Sequence, residues 1–189
     1  MCSYSCSSWE PPVDSDRTAL LSVRPRFAEA LLDGSKTVEI RRRRAHIAGG
    51  ALCLVYASSP VRALVGAIRV RETDTDTPDA LWQRWGMHTG LDRDEYDAYL
   101  LGSTQPCAIV VAAATRFIGP VVLPELRRRQ HEFVTPQSYR FLRENELSSL
   151  LNGQARQLEH LVGGVAAAAI GHAQLLLDHP PGIAATDDR

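Results

Sequence analysis

Short apolar runs separated by polar breaks dominate the first half of the chain, and most have the length of strands. Residues 18–23 form such a run and suit a buried strand. Pro25 then opens a helix, because its fixed φ and missing N–H suit a first turn. Phe27, Leu31 and Leu32 make that helix's apolar face, and Gly34 ends it. Residues 36–41 alternate: Val38 and Ile40 point one way, Thr37, Glu39 and Arg41 the other, as in a half-buried strand. Gly49-Gly50 is a turn before a strand over 52–56, which Ser58-Ser59-Pro60 breaks. A further strand covers 64–70, with Gly66 inside it marking a bulge or a close backbone approach.

The texture then changes. Thr77-Pro78 is an N-cap and N1 pair for a helix through Trp85, closed by Gly86. A second helix covers 92–101, acidic at its start and closed by Gly102. The longest β-like run, 107–114, reads as a central strand, and 124–129 as a brief helical turn. Thr135-Pro136 starts a helix carrying Gln137, Ser138, Tyr139, Phe141 and Leu142. From 144 to 177 apolar residues recur at helical spacing, interrupted by Asn152-Gly153. About five strands with helices between them, without a regular strand–helix–strand rhythm, predict an α+β fold. The expected architecture is a small, mostly antiparallel β-barrel with inserted helices and a C-terminal helical extension. The corresponding division is a leader at 1–17, a domain at 18–146 and the extension and tail at 147–189.

Composition narrows the class. The chain has 189 residues, 44% of them hydrophobic and 23% charged, enough for one domain with an appendage. A formal net charge of -1 does not advertise a polyanionic partner, but the distribution does. Between Arg17 and Arg71 eleven bases face three acids, and between Glu72 and Tyr99 eight acids face two bases. No stretch looks like a signal peptide or a membrane span, so the expected location is cytoplasmic. Cys2, Cys6, Cys53 and Cys107 are too scattered for a disulfide framework or a zinc site, and no cofactor is expected.

Lys36 is the only lysine, against 20 arginines. An ammonium is compact, approaches a ligand as a point charge and can lose its proton when desolvated. With Glu39 and Arg41 close behind, it can bind an anion, or present an ammonium whose pKa a carboxylate raises, which favours binding over general-base work. A solvated turn residue is the alternative. Arg42, Arg43 and Arg44 extend the charge run as phosphate contacts or as a solvated edge. Tyr56 and Ser58 lie where a strand breaks, a usual place for ligand-facing groups. Gln137, Ser138 and Tyr139, at the expected helix N-terminus, can hold a phosphate or merely cap the helix. Trp82, Trp85, Tyr96 and Tyr99, at i, i+3 spacing on two helices, read as packing before base stacking.

Gly34-Ser35-Lys36-Thr37-Val38-Glu39-Ile40-Arg41 resembles the G-x-K-x-x-E-x-R motif of ASCH domains, β-barrel relatives of the PUA RNA-binding fold. Leu21-Ser22-Val23-Arg24-Pro25 is similar to the family's opening strand and turn, and Tyr56-Ala57-Ser58-Ser59-Pro60-Val61 to its next block. Later blocks, to Pro136-Gln137-Ser138-Tyr139, resemble a branch described as predicted transcriptional regulators. The likeness covers roughly 18–146. It implies a PUA-like barrel that binds RNA or a modified nucleoside in a cleft beside the first helix. Lys36 and Arg41 would meet phosphate or a base edge, and Glu39 would orient the lysine or accept from an exocyclic amine. It also implies two enzymatic alternatives. One branch deacetylates N4-acetylcytidine with a lysine and a hydroxyl three residues on, where this chain has Glu39. Another is a ribonuclease, for which Lys36, Arg41, Tyr56 and Ser138 are a candidate set. A protein-interaction module using the acidic insert at 74–99 is the third reading, and a homodimer through the C-terminal helix is compatible with all of them.

Overall fold

The structure, a computed structural model, describes residues 17–151, 153–158 and 161. A six-stranded sheet runs in the order β2-β5-β4-β3-β1-β6. The strands are β1 (Ala19–Val23), β2 (Val38–Arg41), β3 (Leu52–Ala57), β4 (Ala63–Thr75), β5 (Cys107–Val122) and β6 (Tyr139–Phe141). All neighbours pair antiparallel except β1 and β3, which run parallel because α1 (Pro25–Asp33) crosses over between them. The fold is α+β, as the pattern predicts.

Alternate residues of the same strands feed opposite cores, which explains why β3 is apolar throughout and β1 nearly so. Leu21 and Val23 of β1 and Cys53 and Val55 of β3 pack with Ala28 and Leu31 of α1. Leu20, Leu54 and Tyr56 face the other way, onto Leu126 of α4 (Leu123–Arg129) and Leu150 of α5 (Glu144–Leu150), together with Phe133 and Leu158. A third core joins Val38 and Ile40 of β2 to Leu81 of α2 (Pro78–Trp85) and to Tyr96 and Leu100 of α3 (Arg93–Leu100). Strand β2 is thus buried along all four residues, although alternation predicted one wet face. The helices α2 and α3, inserted between β4 and β5, cover Val38 and Ile40, whereas Glu39 and Arg41, on the face expected to be wet, are enclosed by Lys36 and by the Ser22 and Ser138 carbonyls.

Local signals mostly place the elements. The Thr77 hydroxyl accepts from the Ala80 N–H at 3.3 Å, and the Asp92 carboxylate caps α3 through the Glu95 N–H at 2.8 Å. Gly34 takes φ 83° beyond α1, where a side chain would be strained. Gly66 answers to close approach: a Cβ there would lie 2.3 Å from the Thr115 carbonyl oxygen and 2.7 Å from Leu32 Cδ2.

One expected helix fails. The helix expected after Pro136 is instead β6, whose Tyr139, Arg140 and Phe141 pair with Leu21, Leu20 and Ala19. A free edge beside β1 outweighs the helix-start signature, since the ladder satisfies backbone groups that an isolated short helix would leave to water. Gln137, Ser138 and Tyr139 therefore sit at a strand entry, not a helix N-terminus. The helical spacing expected from 144 begins as α5, which ends at Leu150 just before the expected interruption at Asn152-Gly153, and a 3-10 turn follows over Ala155–Leu158. Leu150, Leu151, Leu158 and Leu161 of this stretch cover the second core. The small residues Gly163, Gly164 and 166–169, offered as a dimer surface, lie outside the described residues, as do Cys2 and Cys6. Cys53 and Cys107 are free and buried, as expected.

Candidate functional site

The sheet curls until its first and last strands meet. Arg41, at the end of β2, donates from Nη1 to the Ser22 carbonyl of β1 at 3.1 Å and to the Ser138 carbonyl just before β6 at 3.4 Å. It closes the seam between strands that stand at opposite ends of the sheet order. Its Nε and Nη2 have no hydrogen-bond acceptor, although Nη2 lies 3.3 Å from Glu39 Oε1. A buried guanidinium with unmet donors is costly, and such groups gather where a ligand or a partner charge compensates.

Lys36, Glu39 and Arg41 are 2%, 7% and 6% exposed, so the motif is an interior charge cluster. The Lys36 ammonium lies 3.2 Å from Glu39 Oε2, donates to the Thr89 carbonyl at 2.5 Å and sits 4.8 Å from the centre of the Phe27 ring. Gly90, at φ 68°, carries the chain past the lysine stem without a side chain. Burial pulls the Lys36 ammonium below its ordinary pKa, against the opposing pull of Glu39. The sequence names both effects, loss of the proton on desolvation and the pull of a neighbouring carboxylate, and expects the carboxylate to raise the pKa; the burial of Lys36 makes desolvation the larger of the two. A solvated turn residue it is not.

A cavity of about 630 Å³ opens beside this cluster, large enough for a drug-sized ligand. Lys36, Glu39, Ile40 and Arg41 line one side, and Ser22, Ser58 and Gln137 the end near the seam. Arg24, Arg26 and Phe27 form a wall at the start of α1, and Leu91, Glu95, Ala98 and Tyr99 form the wall opposite. Four cations against two carboxylates make it electropositive. The Tyr99 hydroxyl donates to the Ile40 carbonyl at 3.3 Å, and burial raises its pKa.

Of the residues singled out in the sequence, Lys36, Glu39, Arg41, Ser58 and Gln137 share this cavity. Tyr56 does not: it packs in the second core, its ring 6.4 Å from that of Phe133, because its register on β3 is opposite to the α1 face. Ser138 is exposed and contributes its carbonyl to Arg41. The Tyr139 hydroxyl accepts from the His46 N–H at 3.0 Å, and its ring packs with Phe141. Arg42, Arg43 and Arg44 are exposed, because the chain leaves β2 after Arg41. Trp82 and Tyr96 pack ring to ring at 4.8 Å as expected, whereas Tyr99 turns to the cavity. Thr37, the hydroxyl next to Lys36 in the chain, is not among the lining residues.

The ASCH domain family model matches residues 21–133, which include every element around the cavity except the approach to β6. The chain belongs to the ASCH domain family. A protein of Zymomonas mobilis named ASCH domain-containing ribonuclease is 31% identical over 136 residues, covering 72% of this chain and 91% of its own length. The crystal structure of ASCH from Zymomonas mobilis superposes with a TM-score of 0.68 at 30% identity, covering 72% of this chain and 95% of that one. A mutant form of that protein with a serine replaced by alanine gives 0.68 at 29% identity, covering 73% and 96%. Among the described residues no helix is long and apolar enough to cross a membrane.

Sequence reasoning missed Arg26, Phe27, Glu95 and Tyr99 as wall residues of this ASCH cavity. The signal for α1 was present, since Arg24, Arg26 and Phe27 directly follow the first strand. Nothing in the spacing of 92–101 shows which of its aromatics turns outward.

Proposed function

We propose that the cavity binds single-stranded RNA, taking one nucleotide between the α1 and α3 walls beside Lys36. The observation that carries this reading is a 630 Å³ cavity with aromatic groups on two walls and an excess of buried and rim cations. Unpaired bases are recognised by aromatic stacking and polar edge contacts, and their backbone by cations. Tyr99 supplies a ring face, and the Phe27 ring seats the Arg26 guanidinium and the Lys36 ammonium. Lys36 supplies the deep positive charge, Glu39 and Arg41 hold its position, and Ser58 and Gln137 offer polar contacts near the seam. The regulatory role implied by resemblance to the predicted-regulator branch would act through such binding.

Cleavage of the bound strand is the second reading. The burial-lowered ammonium of Lys36 and the ribonuclease named in Zymomonas mobilis favour it. Internal transfer needs only a base for the ribose 2′-hydroxyl, a proton for the departing 5′-oxygen and cations for the phosphorane charge. Lys36 is suited to the charge or the proton; Tyr56 and Ser138, assigned to this chemistry from the sequence, are better replaced by Tyr99 and Ser58. The interaction-module reading loses support, because the insert's acids are matched locally: Arg84 pairs with Asp74 and Asp76, and Arg93 with Asp79 and Asp97.

Fluorescence anisotropy with a labelled single-stranded RNA hexamer, run beside denaturing gels, tests both. Lys36→Met lowers affinity and flattens its salt dependence if the cavity binds RNA. Product bands from the wild type that are absent from the variant establish cleavage. Unchanged affinity in the variant refutes the assignment of the cavity.

A further inference from the structure

An ion pair joins the two walls of the cavity. Arg26 of α1 donates from Nη2 to Glu95 Oε1 of α3 at 2.6 Å, and both residues line the cavity. The side chains are 56% and 40% exposed, so the pair sits at the rim where an incoming ligand meets it. Arg26 is also set from below, its guanidinium stacked 4.3 Å from the centre of the Phe27 ring.

The start of α1 is short of negative charge. Its first turn has no acidic residue, Arg24 at the N-cap makes no capping hydrogen bond, and Arg24 forms no ion pair among the described residues. Two arginines and a helix start facing one cavity favour an anion. An independent sign comes from the interior, where Arg41, 6% exposed and lining the same cavity, has two donors without acceptors. Glu95 supplies the missing charge at the rim from the opposite wall. It does so at the cost of one charge-assisted bond that a phosphate oxygen reproduces in full.

We propose that Glu95 is a resident stand-in for a substrate phosphate, and that a phosphate-bearing ligand displaces it to bind Arg26 and Arg24. This rests on the reading that the cavity takes RNA, and it narrows the ligand: a nucleotide within a strand is accepted, and a free nucleoside lacks the group that moves Glu95. Glu95 acts as a specificity residue. A neutral ligand leaves the Arg26 pair intact, whereas a phosphodiester exchanges one carboxylate for its own oxygens and adds Arg24.

The experiment measures binding of a labelled RNA hexamer, cytidine and inorganic tripolyphosphate to the wild type, Glu95→Gln, Arg26→Gln and the double variant, with melting curves to confirm folding. Glu95→Gln is expected to bind the hexamer and tripolyphosphate about two- to fivefold more tightly at low salt, the factor for releasing one exposed ion pair. Cytidine binding does not change. In the Arg26→Gln background the Glu95 substitution gives no further gain. Equal or weaker binding by Glu95→Gln overturns the proposal, as does a gain that persists without Arg26, which would be long-range charge alone. If the hexamer binds in a Lys36-dependent way and ignores Glu95, the stand-in falls and the RNA reading stands. If only tripolyphosphate shows the Glu95–Arg26 pattern, the phosphate subsite stands and the RNA reading falls. Absence of binding by every probe removes both.

Discussion

Glu39→Gln is the perturbation that most directly measures what the motif does for the fold. One carboxylate neutralises two buried cations, Lys36 at 3.2 Å and Arg41 at 3.3 Å, and all three are nearly inaccessible to solvent. Removing its charge leaves both cations uncompensated, and breaking a buried pair costs about 3–5 kcal/mol. The adjoining cavity admits water, so the lower end applies, about 3 kcal/mol. For a chain of this size that corresponds to a fall in Tm of roughly 6–12 °C. The pH dependence makes the test specific. The folded-state pKa of Lys36 already lies below its unfolded value, and losing the pull of Glu39 lowers it further. Between the folded and unfolded pKa values the unfolded state binds more protons, so stability rises with pH across that window. The deficit of Glu39→Gln should therefore be largest near neutrality and shrink as pH climbs toward the ordinary lysine value of 10.5. Thermal melts by circular dichroism at stepped pH read this directly. A variant that melts within about 2 °C of the wild type, below the shift expected for even 1 kcal/mol, or whose deficit does not change with pH, refutes the charge-cluster argument.

Tyr99→Ala should weaken binding of a single-stranded RNA by about 1–3 kcal/mol if the ring stacks on a base, while Tyr99→Phe keeps most of the affinity; equal losses would assign the effect to the hydroxyl bond with Ile40. Gly66→Ala forces a Cβ against the Thr115 carbonyl and Leu32, so urea unfolding should show a loss of about 1–3 kcal/mol or more. Cys53, whose thiol burial pushes up to about 12, and Cys107, also raised by burial, should resist alkylation in the native protein; mass-spectrometric mapping would place early label elsewhere.

The helix starts and the motif were legible because their signals are local. Thr77 caps the helix it was expected to cap, the acidic start expected at Asp92 is the N-cap of α3, and Pro25 and Gly34 bound α1. Gly66 was legible as a close approach for the same reason, since only backbone geometry was at stake. Residues 135–142 misled, because pairing with β1 is a long-range event that leaves no trace in their own spacing. The same blindness hid the burial of β2, and with it the sign of the Lys36 pKa shift. An edge strand with alternating polarity reads as half wet, and the Ser22 and Ser138 carbonyls that help to enclose Arg41 lie 19 and 97 residues away in the chain. Arg41 was expected to meet phosphate; its bonds to the Ser22 and Ser138 carbonyls make it first a structural fastener. The meeting of strands at opposite ends of the sheet is not written in any one segment.

That fastener has a dynamic consequence. A continuous ladder would distribute closure over many amides, whereas here one guanidinium spans the gap. Opening at this point breaks two donor contacts and leaves the backbone pairing on either side untouched. Native-state hydrogen exchange should then find the ends of β1 and β2 opening in smaller steps than the interior of β4 and β5. Such a pattern would mark the seam at the edge of the cavity as the line along which the curled sheet widens.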